Sequence, residues 1–401
     1  MLTSLAFIFL VGLAMGAICQ KLKLPRIIGM LVTGIVLGPY VLDLLDPSIL
    51  GISADLRKMA LIIILLKAGL SLDLADLKKA GRSAVMMAFV PASFEIVGYI
   101  VFAPMILGVS RVEAAVMGAV LGAVSPAVVV PRMVGLMEKK YGTKKAIPQM
   151  ILAGASCDDI FVIVLFTTFL SMAQGGSAHV MDFVNIPISI VLGVLLGAVV
   201  GYALYLFFET AYARKHCVRN SMKVIIVLGF SFLLIAIEGW LEGKIAVSGL
   251  LAVVSMACVL KMKCTSFVSK RLSEKFGKLW FAAEVILFVL VGAAVDIRYT
   301  LDAGLAAVAM IFAALIFRSF GVWLCTVKTS LTLKERAFCV IAYLPKATVQ
   351  AAIGSVPFAA GLPCGKIVLS VAVMAIIITA PLGAFGMDFT YKKFLHKESE
   401  R

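Results

Sequence analysis

The sequence predicts an all-α polytopic membrane protein with 13 transmembrane helices, and three observations carry that class. Of its 401 residues 62% are hydrophobic and only 15% charged, with a mean hydropathy of +1.08, far beyond what a soluble domain needs to fill a core. Apolar windows of about 20 residues, the length that crosses ~30 Å of hydrocarbon, recur along the whole chain. Lys and Arg then gather in alternate connections between those windows.

The windows fall at 2–19, 26–42, 53–72, 80–106, 112–137, 147–172, 183–208, 221–239, 244–261, 278–297, 303–327, 334–358 and 365–388, numbered here as segments 1 to 13. An odd number places the termini on opposite sides. Connections after segments 1, 3, 5, 7, 9 and 11, with the C-terminal tail, hold 28 of the 37 basic residues, as in "RMVGLMEKKYGTKK" and "KMKCTSFVSKRLSEKFGK". The positive-inside rule therefore predicts an outside N-terminus and a cytoplasmic C-terminus. The formal charge of +15 is then a topology signal, and nucleic acid is not expected as a partner. "MLTSLAFIFLVGLAMGAICQ" lacks a basic n-region and reads as a first span, not a signal peptide. The eight cysteines stand singly, without metal-ligand spacing, so they read as packing residues. His179, His216 and His396 fall in loops or the tail, and no pH-sensing role is assigned to them.

Segments 1 to 6 overlay segments 8 to 13, leaving segment 7 as a connector. With an offset of 222, Glu113 falls on Glu335 and Pro126 on Thr348, while "ILLKAGLSLDL" ending segment 3 is similar to "FVLVGAAVDI" ending segment 10. The connecting seventh span turns the second unit upside down, giving two inverted six-helix repeats.

Several features share one depth. Asp158 lies eleven residues into segment 6, about 16 Å at 1.5 Å per residue and so at the bilayer midplane. Segment 5 carries Pro126 and Pro131 in "AVSPAVVVP", and segment 12 carries Pro345 beside Lys346 in "YLPKATVQ". Each proline removes an amide donor and opposes regular helix, so two broken helices, two carboxylates and one ammonium are expected at mid-membrane. A proline pair alone is often only a kink, and a lone intramembrane acid is often a structural hydrogen-bond partner. Asp158 and Asp159 are harder to explain so, because adjacent helical residues point about 100° apart and one partner cannot satisfy both.

Other intramembrane charges receive plainer readings. Glu95 in segment 4 and Arg318 in segment 11 occupy corresponding helices of the repeats, where a structural ion pair is expected. Lys67 is given no role, and Glu284 reads as an interfacial or packing residue. Gly193, Gly197 and Gly201 form a G-x-x-x-G-x-x-x-G stripe for close helix packing.

With "LPRIIGMLVTGIVLGP", "KAGLSLDL", "GAVSPAVVVP", "GASCDD" and "AYLPKATVQAAIG" in place, the chain resembles the cation:proton antiporter superfamily along essentially its whole length. The pairing of "SPAVVVP" with "LPKATVQAA" is most similar to the NHA branch of sodium/proton antiporters. This resemblance implies crossing broken helices in a core domain, a dimerising scaffold domain and elevator-like alternating access. The scaffold would take residues 1–78 and 221–300 and the core 79–175 and 301–390, with a linker over 176–220 and a cytoplasmic tail over 391–401. It further implies that Asp159 binds the cation or proton, and that Asp158 pairs with Lys346 as the charge-compensating residue. It ties a Glu and Arg pair, here Glu95 and Arg318, to how tightly charge movement is coupled.

Physical chemistry is consistent with those roles. Na+ (or Li+) favours hard oxygen ligands, which Asp159, Asp158, the hydroxyls of Ser125 and Ser156, and unwound carbonyls near Ser125 supply. Burial disfavours the charged form of a carboxylate, so one site can carry either a proton or a cation. Lys346 would neutralise Asp158 while the cation is absent. The expected function is therefore exchange of Na+ for H+ by a homodimer in the lipid of a bacterial plasma membrane, without a cofactor. A K+/H+ antiporter of the same superfamily is the nearest alternative, though no G-x-G-x-x-G follows segment 13; an ion channel is a weaker one. An intramembrane aspartyl protease needs two acids facing each other from different helices, so no enzyme is expected.

Overall fold

A computed structural model describes residues 1–22, 24–71, 81–174, 180–215, 220–241, 247–296 and 304–397, and places His179 and His216 outside that set. Among the described residues all regular structure is helical, apart from one isolated bridge between Tyr141 and Lys397. Helices close their backbone hydrogen bonds within one segment, which a lipid surrounding demands.

The chain forms two compact units. The first comprises Met1–Arg57, Asp73–Gln174 and Val285–Arg401. It holds α1 (Leu2–Lys21), α2 (Arg26–Leu37), α3 (Pro47–Gly51) and the start of α4 (Ser53–Ser71). Next come α5 (Gly81–Met87), α6 (Val90–Leu107), α7 (Arg111–Leu121), α8 (Pro126–Glu138) and α9 (Ile147–Ala173). The second unit comprises Lys58–Leu72 and Gly175–Glu284. It holds α10 (Val180–Lys215), α11 (Asn220–Leu241), α12 (Gly249–Lys263) and most of α13 (Ser266–Ala293). The first unit is completed by α14 (Gly304–Cys325), α15 (Leu333–Ala342), α16 (Thr348–Ile353), α17 (Val356–Ala359) and α18 (Gly365–Phe394). Eight helices among the described residues are long and apolar enough to cross a membrane.

Several predicted boundaries move for identifiable reasons. Segment 4 was expected to be continuous over 80–106, but it breaks between α5 and α6, where Pro91 occupies the first turn of the second piece. The basic run before segment 10 is helical from Ser266, twelve residues earlier than hydrophobicity indicated, because Lys, Arg, Leu and Glu are good helix formers wherever they are solvated. Segment 13 likewise continues to Phe394.

In the second unit the glycine stripe performs the expected packing. A Cβ on Gly193, Gly197 or Gly201 would collide with the backbone of Ser248, Ala252 and Met256, so α10 and α12 touch backbone to backbone. In the first unit α6 packs along both α7 and α14, and α9 packs on α5, α7 and α8, which brings the midplane residues of segments 4, 5, 6 and 11 together.

Two interrupted helices share one local design. Ser110 and Glu113 form a capping box at the start of α7, and Thr332 and Glu335 form the equivalent box at the start of α15, 222 residues on. After α7 the chain leaves helix at Gly122 and resumes with Pro126 as the first residue of α8. After α15 it leaves helix at Tyr343 and resumes with Thr348 as the first residue of α16, again 222 residues on. Pro126 and Pro345 thus belong to breaks as expected, whereas Pro131 does not. It lies inside α8, where the helix absorbs the loss of one amide donor without interruption.

Candidate functional site

Breaking a helix in a water-poor interior leaves backbone amides and carbonyls that must find other partners. Here the two breaks supply them for each other. The Ser125 amide donates to the Pro345 carbonyl at 2.8 Å, joining the break after α7 to the break after α15. Gln350 in α16 accepts from the Ala347 amide at 2.8 Å through Oε1 and donates from Nε2 to the Ala123 carbonyl at 2.9 Å. The Lys346 amide donates to Thr379 Oγ1 of α18 at 2.9 Å.

Asp158 and Asp159 stand near the middle of α9, which remains a continuous helix through them. Asp158 is 0% exposed; its Oδ2 accepts from the Val124 amide in the first break at 2.7 Å and from Arg318 Nη2 at 3.1 Å. Arg318 of α14, also 0% exposed, spans the whole centre. Its Nε donates to the Tyr343 carbonyl of the second break at 2.6 Å, and its Nη1 donates both to the Gly122 carbonyl of the first break and to Glu95 Oε2 at 2.7 Å. Glu95 Oε2 of α6 also accepts from Lys346 Nζ at 2.5 Å. Guanidinium suits this position because its planar fork donates in several fixed directions at once.

The expected Glu95 and Arg318 ion pair is therefore present, but it lies inside the midplane cluster and is not a separate support. The expected pairing of Asp158 with Lys346 is corrected: Asp158 is paired with Arg318, and Lys346 with Glu95. The reason is steric and electrostatic. Arg318 enters from α14 and donates to both acids, Nη2 to Asp158 Oδ2 and Nη1 to Glu95 Oε2, while Lys346 Nζ meets Glu95 Oε2.

Glu95 and Asp158 are matched by Arg318 and Lys346, a neutral chain of four residues. Asp159 has no ion-pair partner among the described residues and, at 6% exposed, is slightly more open than Asp158. Asp158 Oδ1, Asp159 Oδ1, Ser125 Oγ and Thr348 Oγ1 are all buried oxygens without a hydrogen-bond partner. Unsatisfied buried oxygens are costly and rare, and this set has the hard-donor chemistry that a small monovalent cation takes. The side chain of Ser156 lies outside the described residues, although its backbone belongs to α9. No cluster of three or more His, Cys, Asp and Glu that could hold a resident metal occurs among the described residues.

Sequence reasoning did not single out Thr348, Gln350, Tyr343, Gly122 or Thr379. Thr348 had a signal: the repeat sets it on Pro126, the first helical residue after the equivalent break. Gly122 and Tyr343 act through backbone carbonyls, which carry no side-chain signature.

Comparison with known proteins agrees with this architecture. The family model described as "Sodium/hydrogen exchanger, transmembrane" matches residues 5–392. Sodium/hydrogen exchanger 9B2 of Homo sapiens is 34% identical over 387 residues, covering 93% of this chain and 70% of that one. Sodium/hydrogen exchanger 9B1 of Homo sapiens is 31% identical over 416 residues, covering 98% and 78%. In structure, the sodium proton antiporter MjNhaP1 from Methanocaldococcus jannaschii at pH 8 superposes with a TM-score of 0.83 at 20% identity, covering 98% of both chains, so the fold is shared. This chain is a multi-pass membrane protein of the sodium/hydrogen exchanger family.

Proposed function

We propose that the protein exchanges Na+ (or Li+) for H+ across the membrane, with Asp159 as the group that carries one or the other. The observation that carries this reading is the charge count: four buried charged residues neutralise one another and leave Asp159 unmatched. A buried carboxylate without a partner requires one positive charge, and a proton and a monovalent cation satisfy it equally in charge. Mutual exclusion at one oxygen set is then the coupling, and no covalent chemistry or cofactor is involved. Ser125, Thr348 and Asp158 Oδ1 would complete the cation's ligands. Asp158, held by Arg318 and the Val124 amide, fixes the depth and orientation of the site.

Since Lys346 is matched by Glu95, the exchange follows as one proton for one cation, without net charge movement. In the alternating-access reading, residues 79–175 and 301–390 carry the site and residues 1–78 and 221–300 form the dimerising scaffold. The 13 spans, the outside N-terminus, the cytoplasmic C-terminus and residence in a bacterial plasma membrane belong to the same proposal, supported by the distribution of basic residues.

The test is ion exchange in proteoliposomes containing a pH dye, with Na+, Li+ or K+ imposed outside and with or without a potassium clamp. Na+ and Li+ should drive proton movement that the clamp leaves unchanged, and Asp159→Asn should abolish it. Full activity of Asp159→Asn removes the assignment, and activity with K+ alone reassigns the cation.

A further inference from the structure

A cavity of about 480 Å³ opens within the second unit where the end of α12 meets the start of α13. Its walls include Leu70, Lys261, Cys264 and one side of α13 with Ser266, Ser269, Lys270, Ser273 and the carboxylate of Glu274. Those five α13 residues recur at intervals of three and four, so their side chains share a stripe. Ser269 is 1% exposed, and its Oγ meets no hydrogen-bond partner, although buried hydroxyls are ordinarily satisfied. An unsatisfied donor in the wall of a cavity marks a place for an acceptor.

The surroundings specify its charge. Residues 261–278 contain six basic side chains against the single acid Glu274. Ser266 is the first residue of a 28-residue helix, whose opening amides and dipole favour an anion. Burial, reinforced by Glu209, pushes the Cys264 thiol at the cavity wall up to about 11, so no thiolate opposes an anion there. Two ammonium groups and three hydroxyls line one volume against the single carboxylate of Glu274, a donor excess that matches a ligand with several acceptor oxygens on one centre.

We propose that this cavity binds a phosphate group, carried by a lipid headgroup or free in solution. The site is independent of the ion-exchange reading.

The full-length protein in phosphatidylcholine nanodiscs provides the test, with thermal unfolding followed as phosphatidic acid is added to the bilayer or inorganic phosphate to the buffer. One of these probes should raise Tm in a saturable manner. The Lys261→Gln/Lys270→Gln double variant should weaken the apparent affinity about tenfold, and Ser269→Ala about fivefold. A response to phosphatidic acid alone identifies a lipid headgroup, and an equal response to inorganic phosphate identifies a soluble ligand. Ser269→Ala removes no hydrogen bond from the unliganded protein and should unfold at the wild-type temperature. Lys334→Gln, at an exposed lysine elsewhere, should respond as wild type. No response to either probe overturns the proposal. So does a response kept in full by the cavity variants, or lost equally in Lys334→Gln.

Discussion

Arg318 Nη2 lies 3.1 Å from Asp158 Oδ2 with both side chains excluded from solvent, and the same guanidinium reaches the Gly122 and Tyr343 carbonyls in two different helix breaks. One side chain thereby ties the acid of α9 to both interruptions. Arg318→Ala would leave the cluster one positive charge short and two carbonyls without this donor, with an expected loss of about 3–5 kcal/mol. Thermal unfolding of the purified protein measures it. Arg318→Lys keeps the charge but not the fork, so it should restore part of the stability while exchange stays at least tenfold below wild type, roughly the effect of one lost charge-assisted bond.

Lys346 is bonded to Glu95 and not to Asp158, and double-mutant cycles separate those arrangements. Glu95→Gln combined with Lys346→Met should show a coupling of about 1–3 kcal/mol in unfolding measurements, whereas Asp158→Asn with Lys346→Met, two members of one network without a direct bond between them, should show a smaller coupling. The reverse ranking would restore the pairing that the sequence alone implied.

Gly154 lies one turn before Asp158, and a Cβ there would strike the Tyr343 hydroxyl and come within 2.9 Å of Met87 Cβ. Gly154→Ala should therefore cost about 1–3 kcal/mol through overpacking and displace the aspartate pair, lowering exchange. Tyr343 Oη has no hydrogen-bond partner. Tyr343→Phe should consequently be tolerated alone and should recover much of the lost stability and exchange when combined with Gly154→Ala.

Ser125 and Thr348 hold hydroxyls that make no hydrogen bond within the described protein. If they ligate the cation, Ser125→Ala and Thr348→Val should each leave Tm nearly unchanged while raising the Na+ concentration for half-maximal exchange about threefold to tenfold, the scale of one lost polar contact. Thr348→Ser should behave as wild type. Unchanged Na+ dependence in both variants would confine the site to the aspartates.

Much of the architecture is written in periodicity and composition, which are local properties. Long apolar windows announce helices because lipid allows few other backbones, and "SPAVVVP" and "LPKATVQ" announce breaks because proline cannot donate. The offset of 222 joins the capping boxes at Ser110 and Thr332, and joins Pro126 to Thr348, residue by residue. The two acids of "CDD" are conspicuous because charge in an apolar helix is costly wherever the helix ends up. Pairing is a different kind of fact. Whether Asp158 meets Lys346 or Arg318 depends on which of two cations, almost 200 and 160 residues away in sequence, arrives at Oδ2 when helices from distant segments pack. Pattern along the chain carries no distance between helices. Carbonyls such as those of Gly122 and Tyr343 have no residue identity to read, and the Ser269 cavity exists only because the ends of α12 and α13 leave space between them.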